Sequence, residues 1–312
     1  MIRLDHREPV PEALRGAVLA LGNFDGFHLG HQAVVAEAVN WARAEGRPAI
    51  VATFDPHPVR HFAPHVPPFR LTTLDQRQEL FAAAGADAML VFHFDGDLAS
   101  MDADSFVADL LGRHIGAGGV VTGEDFSFGA RRGGNVAVLR DVGATVGMAA
   151  RAVGPVKVDG QTVSSSRIRD LLKAGDCEGA AELLTRPFAI RGEVIHGDKR
   201  GRTIGYPTAN LDMGAYLRPR YGIYAVRARL LATGQLVNGA ANLGIRPTFD
   251  PPKELLEPFL FDFVGDLYGQ QIEVELRHFL RPEARFDDMP TLVAQMERDC
   301  LAAREALSAG PP

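Results

Sequence analysis

The sequence predicts an α/β domain built on a parallel sheet, followed by a small antiparallel β-barrel with a C-terminal helix. In the first half, continuous apolar runs alternate with helical patterns, which is typical of a parallel sheet covered on both faces. In the second half, runs of strand-forming residues follow one another with Gly and Pro between them. The chain has 312 residues, and at roughly 100–200 residues per domain this length fits about two domains. We therefore place one domain at 1–185 and the other at 186–312.

The first domain is predicted to alternate four buried strands with three helices. The strands are Ala17–Gly22, Ala49–Phe54, Ala88–Phe92 and Gly119–Thr122. The helices are Gly30–Glu45, Asp75–Ala84 and Asp102–His114, the last of which opens on an aspartate suited to cap it. Two shorter helices are expected at Ser164–Lys173 and Glu178–Leu184. Ligands of such sheets bind beyond the carboxyl ends of the strands, so the chemistry is expected there.

The second domain is predicted to be mostly β-structure. Its strands are Phe188–Ile195, Gly222–Leu231, Leu236–Leu243, Glu257–Phe263 and Gln271–Phe279. A final helix, about Pro290–Leu307, carries apolar residues on one face and is expected to pack on the barrel.

Charge and composition exclude several classes of protein. Lys and Arg number 33 against 39 Asp and Glu, a net charge of −6, which argues against nucleic-acid binding. No apolar run approaches the roughly 18 residues that cross a bilayer, and the charged N-terminal segment does not resemble a signal peptide. The two cysteines cannot form a disulfide framework. We expect a cytoplasmic protein that binds small molecules, with its self-association left open.

The first candidate site follows the first predicted strand, in the segment Gly22–His31 (GNFDGFHLGH). Its glycines, above all Gly22 and Gly30, allow close approach of the backbone to a ligand, and the next helix offers its N-terminus to an anion. His28 and His31 are spaced to share one helical face, where two imidazoles could neutralise charge on a phosphate. The candidate phosphate-binding residues are Gly22, Asn23, Phe24, Asp25 and Gly30. The alternative is a loop with two incidental histidines.

Other parts of the first domain offer further groups. Ser164, Ser165 and Ser166, with Arg169, open a helix and could bind a second anion, although they could also be a serine cap beside a surface arginine. Asp125 lies in a Gly- and Phe-rich loop and could hold Mg²⁺, or could be an ordinary turn aspartate. Three histidines follow helical spacing at positions 57, 61 and 65, but nearby prolines predict a loop and argue against a zinc site.

The second domain carries a candidate nucleotide loop in Gly197–Asn210. It is not a Walker loop, but its glycines and cations could fold over ATP phosphates. The residues with this expected role are Gly197, Lys199, Gly201, Arg202 and Gly205. Thr208 and Asn210 offer oxygen ligands for Mg²⁺. The alternative is a basic hairpin turn.

Together these segments resemble the bacterial bifunctional riboflavin kinase/FAD synthetases, over about residues 15–307. The matching segments, in chain order, are GNFDGFHLGH at 22–31, TFDPHP at 53–58, GEDFSFG at 123–129, VSSSRIR at 163–169, GRTIGYPTAN at 201–210, YGIY at 221–224, NLGIRPTF at 242–249, EPFLFD at 257–262 and GDLYG at 265–269. Ser166 stands where the family usually has threonine, which keeps a hydroxyl. Pro258 and Phe259 replace a usual Val-His, so the strand of Glu257 is expected to lie at an edge or to carry a bulge.

The resemblance implies a Rossmann-like nucleotidyltransferase domain before a riboflavin kinase barrel. It further implies that ATP phosphorylates riboflavin to FMN in the barrel, with Mg²⁺, and that a second ATP adenylylates FMN to FAD in the first domain, with release of pyrophosphate. Glu257, opening its strand, would be the general base of the kinase. His28, His31 and Arg169 would stabilise the phosphates during adenylyl transfer, with Asp125 near the metal. The residues expected to contact the flavin are His57, Phe126, Phe128, Asn242 and Arg246.

Three alternatives remain open from the sequence. Only one of the two activities could be live. The first domain could adenylylate a different phosphorylated substrate, such as pantetheine phosphate or a nicotinamide nucleotide, because related enzymes share the HxGH signature. The chain could also be a flavin-binding module without catalysis.

Overall fold

The computed structural model describes residues 1–196, 206–246 and 253–308. The chain divides into two compact units. The first contains Met1–Pro67 and Thr73–Ser164, and the second contains Pro68–Thr72 and Ser165–Pro312.

The first unit is built on a parallel sheet of six strands. They are β1 (Ile2–Asp5), β2 (Val18–Leu21), β3 (Ala49–Asp55), β4 (Ala88–His93), β5 (Gly119–Gly123) and β6 (Ala149–Val153). Their order across the sheet is β1-β4-β3-β2-β5-β6, and every neighbouring pair is parallel. Along β2, Leu19 and Leu21 face one hydrophobic cluster while Val18 and Ala20 face another. Both faces of the central sheet are therefore covered, which explains the continuous apolar runs.

Helices connect these strands. They are α1 (Leu29–Ala44), α2 (Pro58–Phe62), α3 (Leu74–Ala83), α4 (Gly96–Ser100), α5 (Ala103–Ser105), a π-helix at Phe106–His114 that continues α5, and α6 (Val136–Thr145). Short 3₁₀ turns lie at Glu12–Leu14 and Ala130–Arg132, and β7 (Lys157–Val158) pairs with β8 (Gln161–Thr162) as a hairpin. The predicted cap at Asp102 is present, because its Oδ1 accepts the Ser105 N–H at 2.8 Å.

The second unit is a six-stranded antiparallel sheet that closes almost into a barrel. It opens with helices α7 (Ser165–Ala174) and α8 (Cys177–Leu184). Its strands are β9 (Phe188–Glu193), β10 (Leu211–Asp212), β11 (Gly222–Leu230), β12 (Leu236–Arg246), β13 (Lys253–Leu260) and β14 (Gln271–Arg281), in the order β10-β13-β12-β11-β14-β9. The two outer strands approach each other where the Ile195 N–H donates to the Asn210 carbonyl at 2.9 Å. The chain's last described helix is α9 (Met289–Ser308).

Helix α9 packs on the barrel, as predicted. Ala303 is fully buried against Phe261, Ala225 and Ala240. A partly buried ion pair fixes the same helix, since Arg281 of β14 donates to both carboxylate oxygens of the buried Asp299 at 2.7 and 2.6 Å.

The predicted fold class is confirmed, but two local predictions about β13 are wrong. The strand begins at Lys253, so Glu257 lies in its middle rather than at its opening. Leu255 and Leu256 are both buried, one on each face, because both faces of this strand are covered. The strand is also neither an edge nor bulged: it lies between β10 and β12 and pairs with β12 without a register shift.

The helices α7 and α8 belong to the compact unit that contains the barrel. A side-chain contact between Glu178 of α8 and His278 of β14, at 2.5 Å, ties them to it. The functional division of the chain at residue 186 stays a prediction.

Candidate active sites

The loop between β2 and α1 has a strained backbone. Phe24 and Phe27 have φ angles of +49° and +45°, in the left-handed region that side chains rarely adopt. Both rings are buried and pack edge-on against Phe81, at centroid distances of 5.8 and 5.1 Å. Strain of this kind costs about 1–3 kcal/mol per residue and concentrates at functional loops. The aromatic packing holds the loop in this shape.

Glycines keep space open in the same loop. A Cβ at Gly22 would lie 3.1 Å from the Phe24 ring, and one at Gly30 would lie 3.2 Å from His28 Cε1. Asp25 is 3% exposed. The Asn23 Oδ1 atom is buried and has no hydrogen-bond partner within the described part of the chain, so it could accept a hydrogen bond from a ligand.

The two histidines meet at the start of α1. The rings of His28 and His31 stack with centroids 3.6 Å apart and an interplanar angle of 20°. His28 also caps the helix, because its Nδ1 accepts the His31 backbone N–H at 3.4 Å. An edge contact from the His31 ring to the Phe24 ring, at 5.3 Å, ties the pair to the strained loop. The arrangement places two imidazoles at the positive end of a 16-residue helix, where an anion is favoured.

Arg77 of α3 lies beneath this loop and was missed by sequence reasoning. It is 2% exposed, and its Nη1 donates to Thr53 Oγ1 at 2.8 Å and to the Asn23 carbonyl at 3.2 Å. Thr53 Oγ1 donates to that same carbonyl at 2.8 Å, and Arg77 Nη2 lies 3.7 Å from Asp55 Oδ1. One available signal was its position one helical turn before Phe81, on the apolar face of the predicted helix.

The segment after β3 forms a short helix, so the prediction of a loop throughout it is wrong. Pro58 occupies the first helical turn, where a missing N–H does no harm, and His57 caps the helix by accepting the Val59 N–H at 3.2 Å. The His61 ring packs on Phe94 at 5.6 Å. Within the described residues, no group of three or more His, Cys, Asp or Glu gathers as a metal site.

Aromatic rings cluster beside His57 at the carboxyl ends of β3 and β4. Phe94 lies between Phe54 and Phe62, with centroid distances of 6.0 and 5.7 Å. Phe62 is 69% exposed. An exposed aromatic edge on the same side of the sheet as the β2–α1 loop could contact a ligand that combines an aromatic ring with an anionic group.

The residues predicted to act in the loop after β5 differ in how deeply they are buried. Phe128 is buried and packs on Phe106 at 5.2 Å, so it supports the core. Phe126 is half-buried and stacks on Phe128 at 5.9 Å. Asp125 is exposed, so its predicted metal role stays a prediction. Because β5 lies beside β2, this loop and the histidine loop leave the sheet at neighbouring positions.

The predicted serine and arginine group is divided between the two compact units. Ser164 ends one unit, while Ser165, Ser166 and Arg169 begin the other. Within that second unit, Arg169 Nε donates to the Phe69 carbonyl at 2.8 Å, and its guanidinium lies 5.2 Å from the centre of the Phe69 ring.

The barrel aligns three of its predicted residues by strand register. Glu257 of β13 lies directly opposite Asn242 of β12, and Asn242 Nδ2 donates to Glu257 Oε2 at 3.4 Å. On the other side, Leu211 pairs with Leu256, and the Ala209 N–H donates to the Pro258 carbonyl, so Asn210 lies opposite Glu257. Asn210 is 5% exposed. The row Asn210–Glu257–Asn242 therefore forms one candidate site.

Aromatic side chains border this row. Phe259 shares the face of Glu257, two residues on, and packs edge-on against Tyr206 at 5.0 Å. The Asn242 Oδ1 atom is buried and lacks a hydrogen-bond partner within the described ranges. Thr208 is half-buried. The predicted residues Gly197, Lys199, Gly201, Arg202 and Gly205, and the side chain of Arg246, lie outside the described part of the structure.

A second network lies near one end of β13. The Tyr221 hydroxyl donates to Glu254 Oε1, and Arg218 Nε donates to Glu254 Oε2 at 2.6 Å. Burial and the contact with Glu254 raise the pKa of Tyr221 to about 12. This network fixes the predicted Tyr221–Tyr224 segment to the start of the strand that carries Glu257.

Comparisons with known proteins agree with both halves of this picture. A family model described as FAD synthetase matches residues 10–167, and one described as riboflavin kinase matches residues 184–307. The two matches define a chain that joins two transferases of flavin metabolism.

Relatives that match over nearly the whole chain identify its family more closely. It is 39% identical over 290 residues to the bifunctional riboflavin kinase/FMN adenylyltransferase of Escherichia coli K12, covering 93% of this chain and 92% of the relative. It is 38% identical over 291 residues to the enzyme of that description from Haemophilus influenzae, covering 93% and 94%. A crystal structure described as a macrolide-efflux protein from Streptococcus pneumoniae matches with a TM-score of 0.85 and 30% identity, over 97% of this chain and 99% of that one. The chain belongs to the family of bifunctional riboflavin kinase/FMN adenylyltransferases, which confirms the resemblance seen in its motifs.

No helix within the described ranges is both long and apolar enough to span a membrane.

Proposed function

We propose that this chain carries out the two reactions of its family at two separate sites, the kinase at Glu257 in the barrel and the adenylyl transfer at His28 and His31 in the α/β unit. Two constellations, far apart in sequence, support this assignment. One is the row Asn210–Glu257–Asn242, aligned by strand register. The other is the stacked histidine pair at the N-terminus of α1.

In the kinase reaction, riboflavin is phosphorylated on its 5′-hydroxyl. Glu257 accepts the proton of this hydroxyl while its oxygen bonds to the γ-phosphorus of ATP. The bond from that phosphorus to the β,γ-bridging oxygen breaks, and ADP leaves. The loop at 197–205 is proposed to cover the phosphates, and Asn242 and Arg246 are proposed to contact the flavin.

The residues present fit a magnesium ion in this site. Asn210 carries a buried side-chain amide beside Glu257, and Thr208 offers a hydroxyl two residues earlier. Two neutral oxygens bind Mg²⁺ weakly by themselves, which suits an ion that takes its remaining ligands from phosphates and water. When bound, the ion would neutralise charge on the transferring phosphate. In the other unit, Asp125 would approach the metal that accompanies the second ATP.

In the adenylyl transfer, an oxygen of the FMN phosphate bonds to the α-phosphorus of a second ATP. The bond from that phosphorus to the α,β-bridging oxygen breaks, and pyrophosphate leaves. No covalent enzyme intermediate is needed, so the protein acts by positioning and by stabilising charge. His28, His31 and the amide groups at the start of α1 are proposed to do this, and the phosphate-binding roles of Arg169 and the serines at 164–166 stay predictions from the sequence.

The exposed aromatic cluster supports FMN as the acceptor. Phe62 and Phe94 pack edge to face, with centroids 5.7 Å apart, and the helix that carries Phe62 is capped by His57, so this group offers an apolar contact surface at the edge of the sheet where the histidine loop also lies. Phe126 is proposed to contribute from the loop after β5. Phe128 is proposed to act mainly by supporting Phe126, because it is buried in the core. Because both reactions consume ATP, we also propose a cytoplasmic location.

Chromatography of riboflavin, FMN and FAD after incubation with ATP and Mg²⁺ tests the assignment. Glu257→Gln is expected to stop FMN formation while supplied FMN is still converted to FAD. His28→Ala is expected to do the reverse, so that FMN accumulates. Glu193→Gln, an exposed carboxylate on β9, is the matched control and should leave both rates unchanged.

The outcomes separate the alternatives. Normal FMN formation by Glu257→Gln would refute the base assignment. FMN without FAD from the unmodified chain would mean that only the kinase is live. Flavin binding with no turnover at either site would indicate a binding module.

A further inference from the structure

We propose that Arg77 is a positioning residue for adenylyl transfer, which locks the loop that holds ATP to the segment that holds FMN. This inference rests on the proposed function, because it takes the loop at 22–28 as the nucleotide site and the segment at 55–57 as the flavin-nucleotide site. Arg77 is not expected to touch either substrate.

The contacts of Arg77 reach both segments. One guanidinium nitrogen donates to the carbonyl of Asn23, in the nucleotide loop, and to the hydroxyl of Thr53, near the end of β3. A second nitrogen, Nη2, lies 3.7 Å from Oδ1 of Asp55, which begins the flavin-nucleotide segment. Thr53 completes a triangle, since its hydroxyl donates to the Asn23 carbonyl at 2.8 Å. The segments start side by side, because β2 and β3 are paired in register.

Stability is a poor explanation for this buried cation. Arg77 is 2% exposed, and taking a guanidinium out of water carries a desolvation cost that an ion pair often fails to offset. The Asp55 carboxylate is 27% exposed, and at 3.7 Å it is beyond normal hydrogen-bond length. Helix α3 has its own capping box, Thr73 with Gln76, which does not involve the guanidinium. A shape-matched apolar side chain at position 77 should therefore leave the fold intact.

Adenylyl transfer makes the relative position of the two segments critical. The attacking FMN oxygen and the α-phosphorus belong to different substrates, and they must approach to about 3–3.5 Å in line. A misplacement of about 1 Å can cost on the order of 100-fold in rate. A residue that fixes one segment against the other thus affects kcat more than the affinity for either substrate.

The test compares Arg77→Met and Arg77→Lys with the unmodified full chain. With FMN and ATP supplied, Arg77→Met should lower kcat for FAD formation by about 30- to 100-fold, while the FMN Kd from flavin fluorescence changes by less than about threefold. Arg77→Lys should recover part of the loss, because an ammonium keeps the charge and one of the donated bonds but not the forked geometry.

A second variant checks the triangle itself. Thr53→Val keeps the shape of a fully buried side chain and removes its hydroxyl. By itself it should lower kcat for FAD formation by about five- to tenfold, and with Arg77→Met the losses should not add, as expected for groups that act as one unit.

Internal controls separate the failure of this proposal from the failure of the proposed function. FMN formation by the kinase should be unchanged in all these variants. Arg43→Met, which removes a half-exposed arginine paired with Asp87, should change neither rate. Normal kcat for FAD formation in Arg77→Met, or in Thr53→Val if Arg77→Met is insoluble, would overturn the role of Arg77. Normal FAD formation in His28→Ala would instead overturn the site on which it depends.

Discussion

Gly30 offers a sharp test of the histidine site, because stability and activity should respond to it in different ways. A Cβ at position 30 would lie 3.2 Å from Cε1 and 3.3 Å from Nδ1 of His28, closer than ordinary contact. In Gly30→Ala the His28 ring must therefore move by a few tenths of an ångström and lose its alignment with His31. Since misplacement of about 1 Å costs roughly 100-fold, we expect kcat for FAD formation to fall about three- to tenfold.

Stability should not fall with this activity. Glycine is less favourable than alanine in a helix by about 1 kcal/mol, so Gly30→Ala gains helix propensity that offsets the local crowding. We expect a midpoint of thermal unfolding within about 2 °C of the unmodified chain, and an unchanged kinase rate.

Gly96→Ala is the matched control. Gly96 also begins a helix, α4, and an added Cβ there would meet nothing within 4 Å. This variant should keep both activities. If Gly30→Ala forms FAD at the normal rate, the stacked geometry of the histidines is not what the reaction requires. A parallel loss of kinase activity would mean that the substitution acts through the whole fold.

Two further predictions concern the ion pairs that hold each unit. Asp299→Ala should lower the free energy of unfolding of the barrel unit by about 3 kcal/mol, because it leaves the Arg281 guanidinium without its buried carboxylate. Denaturant midpoints measure this change. Replacement of both residues by apolar ones should largely restore the stability. The hydrogen bond from Arg43 holds the pKa of Asp87 below its usual value. The ionised Asp87 therefore stabilises the folded chain at any pH above the pKa that this carboxyl has in the unfolded chain, near 3.9, and this stabilisation is lost as the pH falls through its lower pKa in the folded chain. In Asp87→Asn this contribution to the loss of stability at low pH should be absent. If acid lowered the free energy of unfolding of Asp87→Asn more than that of the unmodified chain, the predicted direction of the pKa shift would be contradicted.

The interior of the fold was predictable because its signal is local. β2 is buried along its whole length, so its four apolar residues read as a strand without any knowledge of their neighbours. The edges of the sheet carry no such signal. No residue of β1 or β6 is fully buried and both strands mix charged with apolar residues, so they are strands because β4 and β5 offer them backbone partners.

The candidate site residues also differ in whether a local sequence signal predicts their contacts. The proximity of His28 and His31 could be predicted from their spacing of three residues, although His28 meets His31 as the extended N-cap of α1 and not as a residue of the helix itself. Arg77 was missed because its partners, Asn23 and Thr53, come from two other elements and meet it only through the sheet. Its position one helical turn before Phe81 could have indicated burial, but no local pattern identifies the two partners.

The register of β13 decides whether the proposed kinase residues meet, and Pro258 helps to set this register. A shift of β13 by one residue would turn the strand over and move Glu257 to the opposite face, away from Asn242. In the observed register the backbone of Pro258 faces the side of β10, where its carbonyl accepts the Ala209 N–H. The two residues of β10 pair with Leu255 and Leu256, so the ladder on this side does not require an N–H from position 258. After a one-residue shift the same proline would face β12, in the middle of a continuous ladder, and would leave a hydrogen bond unmade there. Pro258 thus opposes a one-residue shift that would move Glu257, the proposed base, away from Asn242.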